Sequence, residues 1–413
     1  MLLAPAFIAR HRRSASDFTR ERKLGFAHTV LFLMNFLKGA LQFELDSFFA
    51  ALRSEALPSR EVTKSAFSQA RRKLRHGAFI ELNEQVLAGF YAEAPIRRWE
   101  GRRLLAIDGT TLRLPNTADV RALFEGPANE VPQARLVELY DVLNHLTLAA
   151  ECSPLAMGES FHAEQLLGRA QAGDLVLYDR GFPGFYLMAL HRQLGIEFCM
   201  RVATTQFKAT AAFAASDLPE QWVEIAPSGK VRSECRRDGL DPAPLRVRLV
   251  RVALPSGETE ILITSLGNEI PAEAFATLYH QRWGIEEAYK LQKCRLELEN
   301  FSGRTAEAIL QDIHAGLLAT NIAAIAAFEA QARVDQTTSQ RRHRYQVNTA
   351  ALLSKMKHFV ARGLYALDDL QMRLSLWLDW VAADAEPVRP DRSAPRKHSL
   401  RPDRFRGNHK RCS

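Results

Sequence analysis

The sequence predicts an α/β protein with an all-α N-terminal domain and an inserted all-β region, and three patterns lead to it. Helix-spaced apolar residues run from Ser16 to about Phe90. Short apolar runs bounded by turn residues begin at Arg102, with one helical segment between the third and fourth, which is an α/β order. From about Ile196 to Gly267 apolar and polar residues alternate, and then helical spacing returns. With 413 residues, 47% of them apolar, the chain can bury a large core and form two or three domains.

Taken in order, positions 26–41 and 43–52 are amphipathic and break at Leu57-Pro58-Ser59. Over 59–75, Thr63 suits an N-cap and is followed by Arg71, Arg72 and Lys73. A helix presenting Ser68, Gln69 and Arg72 could enter a DNA groove, or show a basic face to phosphates or solvent only. This all-α region, 1–100, is expected to be a DNA-binding domain. Strands are expected at 103–108, 135–140, 145–150 and 174–179, with a helix at 161–171, making 101–195 the first part of an α/β core with a mixed sheet. In the all-β region, 196–270, Leu245, Val247 and Leu249 face one way and Arg246 and Arg248 the other. A Pro255-Ser256-Gly257 turn then leads to a strand at 261–264. The second part of the core and C-terminal helices fill 271–385, with helices at 271–293 and 305–330. The wide stripe of Ile309, Ile313, Leu317, Leu318, Ile322 and Ile325 suits a buried helix better than a dimer surface. The Pro- and Arg-rich end, 386–413, is expected to be a basic disordered tail.

Charge sorts the function classes. The net +8 divides into +6 on residues 1–100, +6 on 386–413 and −4 on the middle. Basic ends around an acid-bearing centre suit an enzyme that grips a polyanion while its carboxylates do chemistry; they also suit plain solvated faces. Five scattered cysteines without a C-x-x-C pair argue against a disulfide scaffold and a structural zinc site. The basic residues after the apolar start and the interruption of the apolar run at Lys38 argue against a secretory signal and a membrane span, so a cytoplasmic protein is expected.

Three acids stand where the fold would gather them. Asp108 follows Leu104-Leu105-Ala106-Ile107, and Asp179 follows Leu175-Val176-Leu177-Tyr178. Each ends an apolar strand, where α/β sheets bind ligands, although an Asp before such a turn is often only a turn residue. On a helix, Tyr279, Arg282, Glu286 and Lys293 fall in one stripe roughly 60° wide, while Glu287 lies about 100° away from Glu286. An Arg282–Glu286 pair on a solvated face would explain part of that stripe. Gly284 inside the helix costs about 1 kcal/mol and hints at close packing.

The spacing Tyr279-x2-Arg282-x3-Glu286-x6-Lys293, preceded by Ile107-Asp108-Gly109-Thr110 and Tyr178-Asp179-Arg180-Gly181-Phe182, resembles the insertion-sequence-four group of DDE transposases. The likeness spans about 104–293 and extends loosely through Leu298-Glu299-Asn300-Phe301-Ser302-Gly303. It implies a ribonuclease-H-like catalytic core interrupted by the β insertion. It also implies that Asp108, Asp179 and Glu286 are the catalytic metal ligands for two Mg²⁺ or Mn²⁺ ions, an arrangement suited to hard oxygen donors. Arg282, Lys293 and Tyr279 would then contact DNA phosphates; Arg71, Arg72 and Lys73, which match no motif of the group, are expected as further DNA contacts from the charge of their own helix. The implied partners are double-stranded DNA, as element ends and target, and a second copy in a synaptic homodimer beside the bacterial nucleoid. The implied reaction is cut-and-paste transposition, with a hairpin on the element end in this group. Relatives steady that hairpin on a tryptophan late in the insertion, but 258–265 holds none; Trp222 and Trp283 are the aromatic alternatives, or packing residues. A haloacid-dehalogenase-like site is excluded because its nucleophilic Asp would fall at Ala106. A non-catalytic DNA-binding derivative of a transposase is the alternative.

Overall fold

The structure is a computed structural model and describes residues 1–35, 37, 39–126, 130–253, 258–363 and 369–389. Its chain forms two compact units that interleave in sequence. One comprises Met1–Ala94, Arg113–Pro132 and Leu291–Ser413; the other comprises Pro95–Leu112 and Gln133–Lys290.

The second unit is built on an eight-stranded mixed sheet. Its strands are β1 (Leu104–Arg113), β2 (Gln133–Asp141), β3 (Leu146–Pro154), β4 (Leu175–Tyr178), β5 (Glu197–Val202), β6 (Glu220–Ile225), β7 (Leu245–Ala253) and β8 (Thr259–Thr264). They lie in the order β3-β2-β1-β4-β5-β8-β7-β6. β1, β4 and β5 are parallel neighbours. The β2–β3, β5–β8, β8–β7 and β7–β6 pairs are antiparallel. Central parallel strands are covered on both faces, which is why β1 opens and β4 runs as unbroken apolar stretches that are fully buried.

Period-two alternation then decides what each face carries. Leu104 and Ala106 of β1, Leu175 and Leu177 of β4, and Cys199 of β5 share a core with Phe275, Leu278, Tyr279, Ile285, Ala288 and Tyr289. These come from the helices Ala274–His280 and Trp283–Lys290. The next residues of the same parity are Asp108, Asp179 and Arg201, so the apolar spacing that packs the helices also aims these three toward them.

The all-β reading of 196–270 needs correction. Its strands extend the central sheet, with β8 pairing directly to β5, and two helices intervene, Lys208–Ala214 and Gly229–Arg237. The second is capped by Ser228, whose hydroxyl accepts from the Val231 amide, but it buries only Cys235. With Val231 and Cys235 its only apolar side chains, this helix is too polar to be read from apolar spacing. The helix expected at 271–293 is broken. Arg282, Gly284 and Ile285 donate to carbonyls three residues back (3.1, 2.9 and 3.2 Å), tightening the chain between two helices, and Leu291–Arg295 is a π turn. The Pro255-Ser256-Gly257 turn and most of the expected tail, residues 390–413, lie outside the described residues; Glu386–Pro387 pairs with Tyr345–Gln346.

The first unit is helical. Thr63 caps Lys64–Arg71 by accepting from the Ala66 amide. Its core joins Val30, Phe32, Phe48, Phe67 and Phe79 to Ala319, Ala323, Ala326 and Ala330 of a long helix, Ala306–Thr338. That helix is long and apolar enough to cross a bilayer by composition, yet Ile309, Ile313, Leu317 and Leu318 are buried within the protein.

Candidate active site

Within the sheet unit, β1 and β4 run in register with Ile107 opposite Tyr178, so Asp108 and Asp179 emerge side by side from adjacent strands. β1 continues through Asp108 to Arg113 instead of turning there. Asp108 is pinned from three directions. The Gly109 amide donates to Oδ1 (2.8 Å), Arg282 Nη1 donates to Oδ2 (3.4 Å), and the Tyr289 hydroxyl donates to its carbonyl (2.6 Å). Burial pushes the Asp108 carboxyl up to about 6, against the opposing pull of the Gly109 amide and Arg282.

Asp179 is held by Arg201 Nε at 3.2 Å, and Arg201 is itself paired with Glu260. Tyr279 donates to the Tyr178 carbonyl (3.2 Å) and to Asp179 Oδ1 (3.4 Å). Arg282, only 5% exposed, joins Asp108 to Glu286, whose Oε1 accepts from Nη2 at 2.9 Å; among the described residues the buried Arg282 Nε has no partner. Glu287 pairs with Lys290 on the surface, so the two adjacent glutamates are separated by direction, as their helical angle requires.

The structure therefore brings Asp108, Asp179, Tyr279, Arg282 and Glu286 together. Lys293 lies on the π turn in the other unit, where burial lowers its ammonium pKa against the opposing Glu299. Arg201 and Tyr289 were missed. Arg201 had a signal, since it stands two residues beyond the apolar Cys199 on a strand beside β4, but the strand order was needed to use it. Neither tryptophan is a core residue: Trp283 is 46% exposed, and Trp222 donates to Asn268 (2.9 Å) with Arg246 over its ring.

Gly284 owes its place to packing, because a Cβ there would lie 2.8 Å from Val142 Cγ1. Gly284→Ala should destabilise the sheet unit by about 1–3 kcal/mol despite alanine's better helix propensity. Urea unfolding checks this, and a variant at least as stable as the parent would contradict it.

Behind Asp179 sits a buried neutral histidine. His191 Nδ1 faces the Ile196 carbonyl (3.0 Å) and must carry the proton, so Nε2 accepts from the Tyr178 hydroxyl (2.8 Å). Burial lowers its pKa to about 3. Between about pH 6.5 and 3 the unfolded chain binds a proton that the folded chain refuses, so stability is lost as pH falls, by about 1.4 kcal/mol per unit for this group. His191→Gln keeps an acceptor for Tyr178 and should flatten the acid limb of stability against pH by that slope. An unchanged slope in urea titrations between pH 6 and 4 would refute this.

Residues 99–322, more than half of the chain, match the family model described as the transposase DDE domain. The chain belongs to the DDE transposase family. This DDE transposase is 26% identical over 273 residues to the transposase InsG for insertion sequence element IS4 of Escherichia coli (strain K12), covering 63% of this chain and 60% of InsG. It is 28% identical over 142 residues to InsZ of the same strain, covering 32% of this chain and 47% of InsZ. The chain thus spans less than two thirds of either relative. A solved structure of the piggyBac transposase synaptic complex with hairpin DNA covers 91% of this chain and 80% of its own, at 11% identity and a TM-score of 0.43.

The donor set fits a hard divalent cation. The three acids offer only carboxylate oxygens, and a single guanidinium joins Asp108 to Glu286, so one of those two charges is left without a cation between them. Among the described residues no three acidic, histidine or cysteine side chains are already grouped to hold an ion.

Proposed function

We propose that the protein is the transposase of a bacterial insertion sequence, with a ribonuclease-H-like core that cuts and rejoins double-stranded DNA at the element ends. The observation that carries this reading is the delivery of Asp108 and Asp179 by adjacent parallel strands to one spot, with Glu286 joined to Asp108 through Arg282. Asp108, Asp179 and Glu286 would hold two divalent ions, Mg²⁺ or Mn²⁺. Bound there, the ions supply Lewis acidity toward a phosphodiester.

The chain's own residues do the rest. Arg282 bridges Asp108 and Glu286 and offsets one of their two charges, and its fork also suits two phosphate oxygens. Arg201 and the Tyr279 hydroxyl fix the Asp179 carboxylate, so its rotamer is set beforehand. Tyr279, Arg282 and Lys293 would position the end-binding strand. Because an element has two ends, a homodimer on paired ends is the working form, and a hairpin end is the intermediate consistent with the Tyr-Arg-Glu-Lys spacing.

The test is strand cleavage. Purified protein incubated with its element-end duplex should nick it in Mg²⁺ or Mn²⁺ and stop on chelation with EDTA. Binding without cleavage in either metal would replace this reading with that of a non-catalytic DNA-binding derivative.

A further inference from the structure

The helical unit contains a cleft of about 990 Å³ whose rim brings together Lys64, Arg72 and Arg304. Two of them flank the helix Lys64–Arg71, and the third precedes Thr305, the N-cap of Ala306–Thr338. All three are exposed, and among the described residues none makes an ion pair. Three uncompensated cations at one opening repel one another, which a folded protein tolerates where an anion is to be bound.

The acids of the same wall are occupied. Asp119 accepts from the Ala306 amide (2.6 Å), the first turn of the long helix. Glu307 accepts from the His76 amide (2.6 Å) and Nδ1 (3.1 Å) and pairs with Arg13 at 3.5 Å. Glu307 is thus offset by Arg13, and Asp119, turned to the helix amide, leaves the opening cationic by three charges to one. The segments carrying the cations are also fastened together. Arg71 bonds Gln311, Ser302, the Ala308 carbonyl and Asp312 at 2.8–3.0 Å, fixing the short helix against residues 302–312.

We propose that this cleft binds the phosphate backbone of duplex DNA, with Lys64, Arg72 and Arg304 each meeting a phosphate. The proposal rests on the DNA-processing reading above and adds a binding site carried by the helical unit, whereas the catalytic acids belong to the sheet unit. It reads no bases, since backbone contacts position a duplex without selecting its sequence.

The experiment is a fluorescence-anisotropy titration of the full chain with an element-end duplex across a series of KCl concentrations. Each phosphate contact contributes about 0.9 to the slope of log K against log salt, so Lys64→Ala/Arg72→Ala/Arg304→Ala should flatten that slope by about 2–3. Affinity near 0.1 M salt should fall on the order of a hundredfold. Lys64→Arg/Arg304→Lys retains the charges and should retain the slope, which separates lost charge from damaged folding. A triple-alanine protein with the parent slope overturns the cleft as the site while the DNA reading stands. A parent protein that binds no duplex at any salt overturns the DNA reading itself.

Discussion

Asp108→Asn and Glu286→Gln proteins should cleave element-end DNA at least about a thousandfold more slowly than the parent, a loss of about 4 kcal/mol in transition-state stabilisation. Both replacements keep shape and remove one charge. The side-chain amide that Glu286→Gln introduces would still accept from Arg282, so a fall in rate reports the missing carboxylate charge and not a displaced helix. Asp108→Asn should melt no lower than the parent. Burial disfavours the charged form of its carboxyl, which lies near 6 in the fold; above that pH the folded chain carries a charge that the unfolded chain carries in water at lower cost, and a neutral amide removes the difference. Glu287→Gln supplies the contrast: its partner is the surface Lys290, so cleavage should stay within about twofold. Mn²⁺ should separate the proteins without any reference to turnover. At a hundred times its dissociation constant it stabilises a folded binder by about 2.7 kcal/mol, a gain the parent should show and the two acid variants should lose. Parent-like cleavage by either variant would remove that acid from the mechanism.

What the sequence disclosed follows from which forces act locally. The strands carrying Asp108 and Asp179 were legible because buried parallel strands must be apolar on both faces, and Leu104–Ile107 and Leu175–Tyr178 are apolar throughout. Glu286 was separable from Glu287 because helical angle alone separates them. Gly284 was legible as a cost, and Val142 turned out to be its cause. The hidden features are those made by distant pairing. That β8 returns to pair with β5, turning a supposed insertion into part of the central sheet, depends on hydrogen bonds between residues some sixty positions apart. Arg201 becomes a partner of Asp179 only through that strand order. The tightened turn at Gln281–Arg282 left the shared face of Tyr279, Arg282 and Glu286 intact because residues three apart remain aligned in a tight turn, so a straight-helix calculation reached the correct neighbours through an incorrect helix.

Arg71 and Arg72 should give opposite phenotypes although they are adjacent and both read from sequence as DNA contacts. Arg71 is 4% exposed and cannot reach a duplex. Its guanidinium is consumed by Asp312, Ser302, Gln311 and the Ala308 carbonyl, over the Phe67 ring. Gln311 returns two bonds, to the carbonyls of Arg71 and Leu74, and a Cβ on Gly303 would lie 2.9 Å from Arg71 Nη1, so the chain is shaped around this side chain. Arg71→Ala removes the cation and leaves Asp312 without its ion-pair partner, a kind of loss that costs about 3–5 kcal/mol. Urea unfolding should show that loss, and DNA affinity should fall only as far as the folded fraction does. Arg72 is exposed and faces the cleft, so Arg72→Ala should change stability by less than about 0.5 kcal/mol while weakening DNA binding and flattening its salt dependence by about one phosphate contact. Lys73 is held at 3.8 Å from Asp17, a long, half-buried pair of small energetic weight, and Lys73→Ala should resemble neither. The decisive measurement is each variant's stability and salt slope determined on the same preparation. If Arg71→Ala is as stable as the parent and loses a phosphate's worth of slope, the buried tie is not what holds the short helix, and the fixed geometry of the cleft loses its foundation.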